Sequence, residues 1–264
     1  MLQIKNLQKV FNKDTVNEQV VFKDLSLNIN KGDFVTIIGS NGAGKSTILN
    51  LISGSLPIDN GSIILEGKEI SALPEYKRTK FIGRVFQNPT LGTSPSMTIL
   101  ENLSMAYNKG KAFNLTACVN KKNIGFFKEM LSELSLDLEN VIDTKVGLLS
   151  GGQRQALSLL MSTMSNPELL LLDEHTAALD PRTSENIIEM TKKTVTGKNI
   201  TTLMVTHNLS HAINTGNRLI MLHRGEAIVD VSDKEKANLT IPKLLDLFKN
   251  KNCEDFISDT LALS

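Results

Sequence analysis

Gly39-Ser40-Asn41-Gly42-Ala43-Gly44-Lys45-Ser46-Thr47 stands between two apolar runs of different period. Before it, Phe34-Val35-Thr36-Ile37-Ile38 is a short, β-branched run suited to a buried strand. After it, Ile48, Leu49, Leu51 and Ile52 recur at helical spacing, with Gly54 placed to stop the helix. A strand, a glycine-rich turn and a helix in that order match the pattern G-x-x-x-x-G-K-[ST]. Glycines allow the backbone to curl so that several N–H groups point inward at a helix N-terminus, which makes a nest for phosphate. Lys45 is then placed to reach β- and γ-phosphates, Ser46 to offer its hydroxyl to Mg²⁺, and Thr47 to bond an α-phosphate. A glycine-rich turn arises by chance as well, but its flanking strand and helix favour phosphate.

A second feature is Leu169-Leu170-Leu171-Leu172-Asp173-Glu174. Four leucines read as a buried strand that ends in two carboxylates, at the sheet edge where ligands of open α/β sheets bind. Acidic residues at strand ends are common and mean little alone. With a phosphate loop in the same chain, Asp173 is expected to hold Mg²⁺ through water and Glu174 to polarise an attacking water as general base.

The rest of the chain supports an α/β organisation. Leu25, Leu27 and Ile29 alternate with polar residues, the period of a half-buried strand. Further strands are expected at 62–65, 82–86, 201–205, 218–222 and 227–231, the last two flanking a turn at Gly225. Residues 98–165 read as mostly helical, for example at Phe126, Phe127, Met130, Leu131 and Leu134. Pro181 sits where a helix would begin, and Leu244, Leu245, Leu247 and Phe248 suggest a late amphipathic helix. Strands alternating with helices imply a mostly parallel, covered sheet in one domain with an inserted helical part.

Composition narrows the function. Among 264 residues, 29 Lys and Arg face 28 Asp and Glu, so nothing favours a nucleic-acid partner. No apolar run approaches the roughly 20 residues that span a bilayer, and the N-terminus has no signal-like segment. Any membrane connection is expected to come through a partner. Cys118 and Cys253 fall in no metal or CxxC spacing and read as reduced thiols, a disulfide having no support.

Leu149-Ser150-Gly151-Gly152-Gln153 ends 20 residues before Asp173 and is followed by the helix-forming Arg154-Gln155-Ala156-Leu157. Locally Ser150 reads as a helix N-cap. With the two nucleotide motifs around it, the chain resembles the ATP-binding cassette (ABC) ATPases, whose signature is LSGGQ, from about Leu2 to Phe248. The resemblance implies a P-loop NTPase fold with a RecA-like, mostly parallel core, an antiparallel β subdomain and an inserted helical subdomain at about 90–165. It places the ATPase domain in residues 1–248 and leaves 249–264 as a short tail. It also implies that Phe11 stacks on adenine, although a phenylalanine ending a strand is more often plain core. Gln87 would contact Mg²⁺ or the lytic water, Asp180 would lie at a dimer interface, and His207 would touch the γ-phosphate. Ser150, Gly151, Gly152 and Gln153 would face the ATP held by a partner's phosphate loop. His175 departs from the proline that many members carry after the catalytic glutamate.

One phosphate loop and one signature per chain imply a head-to-tail dimer with a second copy or a paralogue. The resemblance further implies a membrane permease partner, a location on the inner face of the cell membrane, and, for an importer, a substrate-binding protein. Soluble members acting on ribosomes or DNA usually carry two cassettes or long coiled coils, whereas here Lys45 and Ser150 are 105 residues apart with no long heptad repeat. An exporter ATPase and a soluble ABC ATPase remain the alternatives. A binding module that has lost catalysis is opposed by the intact Glu174 and His207. The stretches Phe86–Thr93 and Glu174–Pro181 look like the ATPases assigned to tryptophan/tyrosine uptake systems.

Overall fold

The computed structural model describes residues 1–111 and 118–250; Cys253 and the expected tail beyond residue 250 lie outside the described residues. The elements are, in chain order, β1 (Leu2–Phe11), β2 (Gln19–Ile29), β3 (Phe34–Gly39), α1 (Lys45–Ser53), β4 (Asn60–Leu65), β5 (Lys68–Glu69) and α2 (Glu75–Arg78). There follow β6 (Ile82–Val85), α3 (Ile99–Asn108), α4 (Ile124–Ser132), α5 (Gly151–Thr163), β7 (Leu169–Asp173) and α6 (Pro181–Lys198). The chain then forms β8 (Thr201–Val205), α7 (Leu209–Asn214), β9 (Arg218–His223), β10 (Glu226–Ser232), α8 (Asp233–Ala237) and α9 (Ile241–Asn250). It divides into two compact units, one of Met1–Arg78 with the chain from Thr201 onward, the other Thr79–Ile200.

In the first unit, β2, β1, β4 and β5 form an antiparallel sheet, and β10, β9, β3 and β8 lie side by side in a second. There β3 pairs in parallel with both β8 and β9, as expected of a run buried at every residue. The alternation expected around Leu25 is present in β2, whose Leu25, Leu27 and Ile29 are buried while Ser26 and Asn28 are exposed. A core of Ile38, Leu219, Met221, Leu244 and Phe248, among others, packs α9 onto this unit, so the late amphipathic helix exists as read. β1 is not among the strands that alternation predicts, although Phe11 reads as ending one. Its pairing with β2 slips between Ile4 and Leu7, where Asn6 turns left-handed (φ 49°), and that bulge breaks the alternation a reader would look for.

The second unit joins β6 and β7 as a parallel pair, Val85 opposite Leu172. All four leucines of β7 are fully buried, each contributing about 1.5–3 kcal/mol of transfer free energy. The helices expected between 98 and 165 are α3, α4 and α5, built around Phe127, Leu131, Leu138, Leu157 and Leu160. Side-chain caps fix where α3 and α5 start. Thr98 and Glu101 form a capping box on α3, and Ser150 and Gln153 form one on α5. Among the described residues no helix is long and apolar enough to cross a membrane.

One buried charge holds the helix that follows the glycine loop. Arg78 is only 2% exposed, and its Nη1 donates to the carbonyls of Leu51 and Ile52 in the last turn of α1 at 2.8 and 2.9 Å. Its Nε and Nη2 donate to Leu73 and Ser71 carbonyls at 2.7 and 2.8 Å. A cation at a helix C-terminus meets the negative end of the dipole and satisfies carbonyls that the helix itself leaves open. Replacing Arg78 with alanine removes these donors from buried carbonyls and should cost on the order of 3 kcal/mol. Tm should fall by about 6–12 °C in a chain of this size. Thermal unfolding checks this, and an unchanged Tm would show the clamp to be idle.

Candidate functional site

The phosphate loop lies in the first unit and is shaped by two glycines that nothing larger can replace. Gly39 leaves β3 with φ 156°, and a Cβ there would stand 2.2 Å from the Leu222 carbonyl oxygen of neighbouring β9. Gly44 is left-handed (φ 98°), and a Cβ there would meet the Phe22 ring at 2.6 Å. The chain is therefore pressed against β9 and β2 as it turns into α1. Gly44 is also the N-cap of α1, with no side-chain cap and no acid in the first turn. The other helices that begin at expected motifs are capped by Ser150, Asp180 or Thr98. An N-terminus whose cap residue carries no side chain, at the positive end of the dipole, suits an external anion.

Lys45 is buried and folds back over its own loop, its Nζ donating to the carbonyls of Gly39 and Ser40 at 2.8 and 2.9 Å. Asn41, Gly42 and Ser46 are exposed, Thr47 is half-buried, and Ser40 and Ala43 are buried. His207 joins this edge through sheet register. Because Ile37 stands opposite Val205 in the parallel pair β3–β8, the glycine loop and Thr206-His207 leave the sheet on the same side. Thr206 N–H donates to Ile37 O at 3.2 Å, and Asn208 caps α7 immediately beyond the half-buried His207. Phe11 ends β1 half-exposed, 5.5 Å from the Lys9 ammonium, so it is not a closed core residue.

The second unit gathers the other expected residues. Asp173 closes β7, and Glu174 follows it in a left-handed conformation (φ 43°), a geometry costing a non-glycine residue about 1–3 kcal/mol. The turn is closed by Ala177 N–H to Glu174 O at 3.0 Å and anchored by His175. That ring is buried, its Nε2 3.2 Å from Thr191 Oγ1. The Thr191 hydroxyl itself donates to Ile187 O at 2.7 Å, so it accepts from His175, whose Nε2 carries the proton. The histidine standing where many family members have proline thus ties the turn to α6.

Gln87 is exposed just beyond β6, and Gln155 of α5 donates to the preceding Phe86 carbonyl at 3.3 Å. Gln87, Asn88, Arg154, Gln155, His175 and Leu179 line a cavity of about 210 Å³. At the start of α5, Ser150 Oγ accepts from Gln153 N–H at 3.2 Å while Ser150 N–H donates to Gln153 Oε1 at 3.0 Å. A Cβ on Gly152 would fall 2.4 Å from Thr183 Cγ2, so glycine is required there by the closeness of α6. Gly151 is half-buried and borders the cavity. Asp180 caps α6, accepting from Thr183 N–H at 3.0 Å.

Sequence reasoning missed Arg84. Its Nη2 donates to Asp173 Oδ2 at 3.1 Å, and its guanidinium lies 4.5 Å from the Phe86 ring centre. One charge inside the apolar run of β6 was the available signal.

A model of the ABC transporter family matches residues 22–177. The chain belongs to the ABC transporter family. Within it, the chain is 56% identical to the tyrosine transport ATP-binding protein of Clostridioides difficile (strain R20291) over 249 residues, covering 94% of this chain and 99% of that one. It is 32% identical to the spermidine/putrescine import ATP-binding protein PotA of Haemophilus influenzae over 93% of its own length, but spans only 62% of that relative. Its fold is that of ABC ATPase cassettes of the P-loop class. The ADP conformation of the cassette MJ1267 matches with a TM-score of 0.77 at 28% identity, covering 94% of this chain and 98% of that one. A dimeric, post-hydrolysis cassette MJ0796 bound to ADP and Pi matches at 0.74 and 30%, covering 88% and 98%.

The Asp180 cap carries a pH signature in this ABC cassette. Its hydrogen bonds from Thr183, side chain and backbone, hold the carboxyl below its ordinary value of 3.8. A lowered folded value means that the stabilisation is present above pH 3.8 and is lost as pH falls through the folded value. Asp180→Ala should therefore lower Tm at pH 7 by a few degrees, and the gap should narrow once pH drops below that range. A gap that stays constant with pH would contradict the capping role.

Proposed function

We propose that this chain binds and hydrolyses ATP as the cytoplasmic motor subunit of an ABC importer that carries an amino acid, tyrosine or a close aromatic relative. The ATP reading rests on the uncapped N-terminus of α1 behind the Gly39–Thr47 loop. The solute reading rests on 56% identity along nearly the whole of a tyrosine transport ATP-binding protein. Residues 1–248 would form one ABC ATPase domain, with 90–165 as its inserted helical part.

Each residue then has a task. Phe11 stacks on adenine through its half-exposed face. The backbone of the Gly39–Gly44 loop and the Lys45 ammonium receive the phosphates, and Thr47 bonds the α-phosphate. The Ser46 hydroxyl, the Asp173 carboxylate and the Gln87 amide are hard oxygen donors of the kind Mg²⁺ takes. When bound, Mg²⁺ neutralises charge on the β- and γ-phosphates. Glu174 accepts the proton of the attacking water as its oxygen bonds to the γ-phosphorus and the bond to the ADP oxygen breaks. His207 donates a hydrogen bond to the γ-phosphate. Ser150, Gly151, Gly152 and Gln153 present the N-terminus of α5 to the ATP of a second chain, and Asp180 lies at that dimer contact. The Gln87 loop passes the state of the dimer to a permease, which a solute-loaded binding protein engages from the other side of the membrane.

Two arms of one experiment test this reading in the purified chain and in its reassembled transporter. Lys45→Ala should weaken Mg-ATP binding, whereas Glu174→Gln should keep binding and lose about 10²-fold or more in turnover. In the transporter, hydrolysis should rise with a tyrosine-loaded binding protein. Near-normal turnover of Glu174→Gln would remove the catalytic assignment, and indifference to aromatic amino acids would remove the solute.

A further inference from the structure

The Asp173 carboxylate already has a cationic partner. Arg84 reaches it from β6, Nη2 to Oδ2 at 3.1 Å, and the two side chains are only 11% and 14% exposed. The guanidinium also lies over the Phe86 ring at 4.5 Å, a cation–π contact that limits where it can go. The backbone beneath it is fixed too. The Ser162 hydroxyl of α5 donates to the Arg84 carbonyl at 2.7 Å, and β6 pairs in register with β7 two residues from Asp173. A charge pair removed from water interacts more strongly than an exposed one and is poorly screened by salt.

A carboxylate that holds Mg²⁺ or its water shell does so with its negative charge, and a guanidinium on the same group draws on that charge. We propose that Arg84 is a positioning residue acting through Asp173. It keeps the carboxylate aimed and competes with Mg²⁺ for it, and so it sets how strongly the metal couples to ATP binding. This rests on the assignment of Asp173 as the Mg²⁺-holding carboxylate, and nothing in the Gly39–Thr47 loop would report it.

The readout is an affinity ratio, free of turnover. In a full-length Glu174→Gln background, calorimetry gives the dissociation constant of ATP with EDTA and that of Mg-ATP, and their quotient measures the coupling. Adding Arg84→Met should raise the quotient about tenfold, the scale of one charge-assisted hydrogen bond. Arg84→Gln, which keeps a donor without the charge, should raise it as well and carries the test if the methionine variant does not fold. A purely structural role would weaken both affinities together and leave the quotient where it was, and that result, or a fall, overturns the proposal. Asp173→Asn separates the two layers of the argument. A quotient collapsing towards one upholds the metal assignment, whereas a quotient unchanged by Asp173→Asn removes that assignment and Arg84's role with it.

Discussion

Gly39 leaves β3 so close to β9 that a single extra carbon would stand 2.2 Å from the Leu222 carbonyl oxygen, and Gly44 meets the Phe22 ring of β2 almost as tightly. These two approaches decide the path of the chain between the strand and the helix. Because β3 is paired on both sides, its end cannot shift to relieve the crowding, and the turn must be made by residues without a Cβ. The same pairing brings His207 to the edge where the loop begins. Arg78 fixes the far end of α1, so the helix is held at its C-terminus by a buried cation, while its N-cap is Gly44, which carries no side chain.

What the sequence revealed, and what it withheld, follows from the range of the interactions involved. The loop, the four-leucine strand with its acids and the capped start of α5 are encoded in contiguous residues, and each stands where the spacing placed it. Local chemistry decides such elements, because a glycine turn or a capping box is satisfied within a few residues. β1 was hidden because its bulge at Asn6 breaks the period, and its identity as a strand depends on pairing with β2 and β4. Arg84 and Asp173 are 89 residues apart, and only the pairing of β6 with β7 makes them partners. The anchoring of His175 on Thr191 likewise needed the fold, since the residue could be flagged by its departure from the family pattern but not explained by it.

Two features of the second unit stand out for chemistry. Glu174 is held in a left-handed conformation, and the turn around it is fixed by a buried histidine whose own partner is committed to a helix carbonyl. Strain of this kind persists only where the surroundings over-determine the backbone. At the start of α5, Ser150 and Gln153 already satisfy each other across an exposed helix N-terminus. That cap closes the start of the helix within a single chain.

In the proposed function, ATP is hydrolysed by the phosphate loop of one chain together with the signature helix of another. Mixing two inactive variants tests it most directly. Lys45→Ala disables the loop, and Ser150→Arg places bulk and charge where a γ-phosphate must dock. After subunit exchange half of the dimers are mixed, and each mixed dimer unites both lesions at one site and leaves the other intact. ATPase activity should return to about a quarter of the unaltered level if sites act independently. Mixed dimers that assemble with ATP, as followed by size, and yet hydrolyse none would contradict the account.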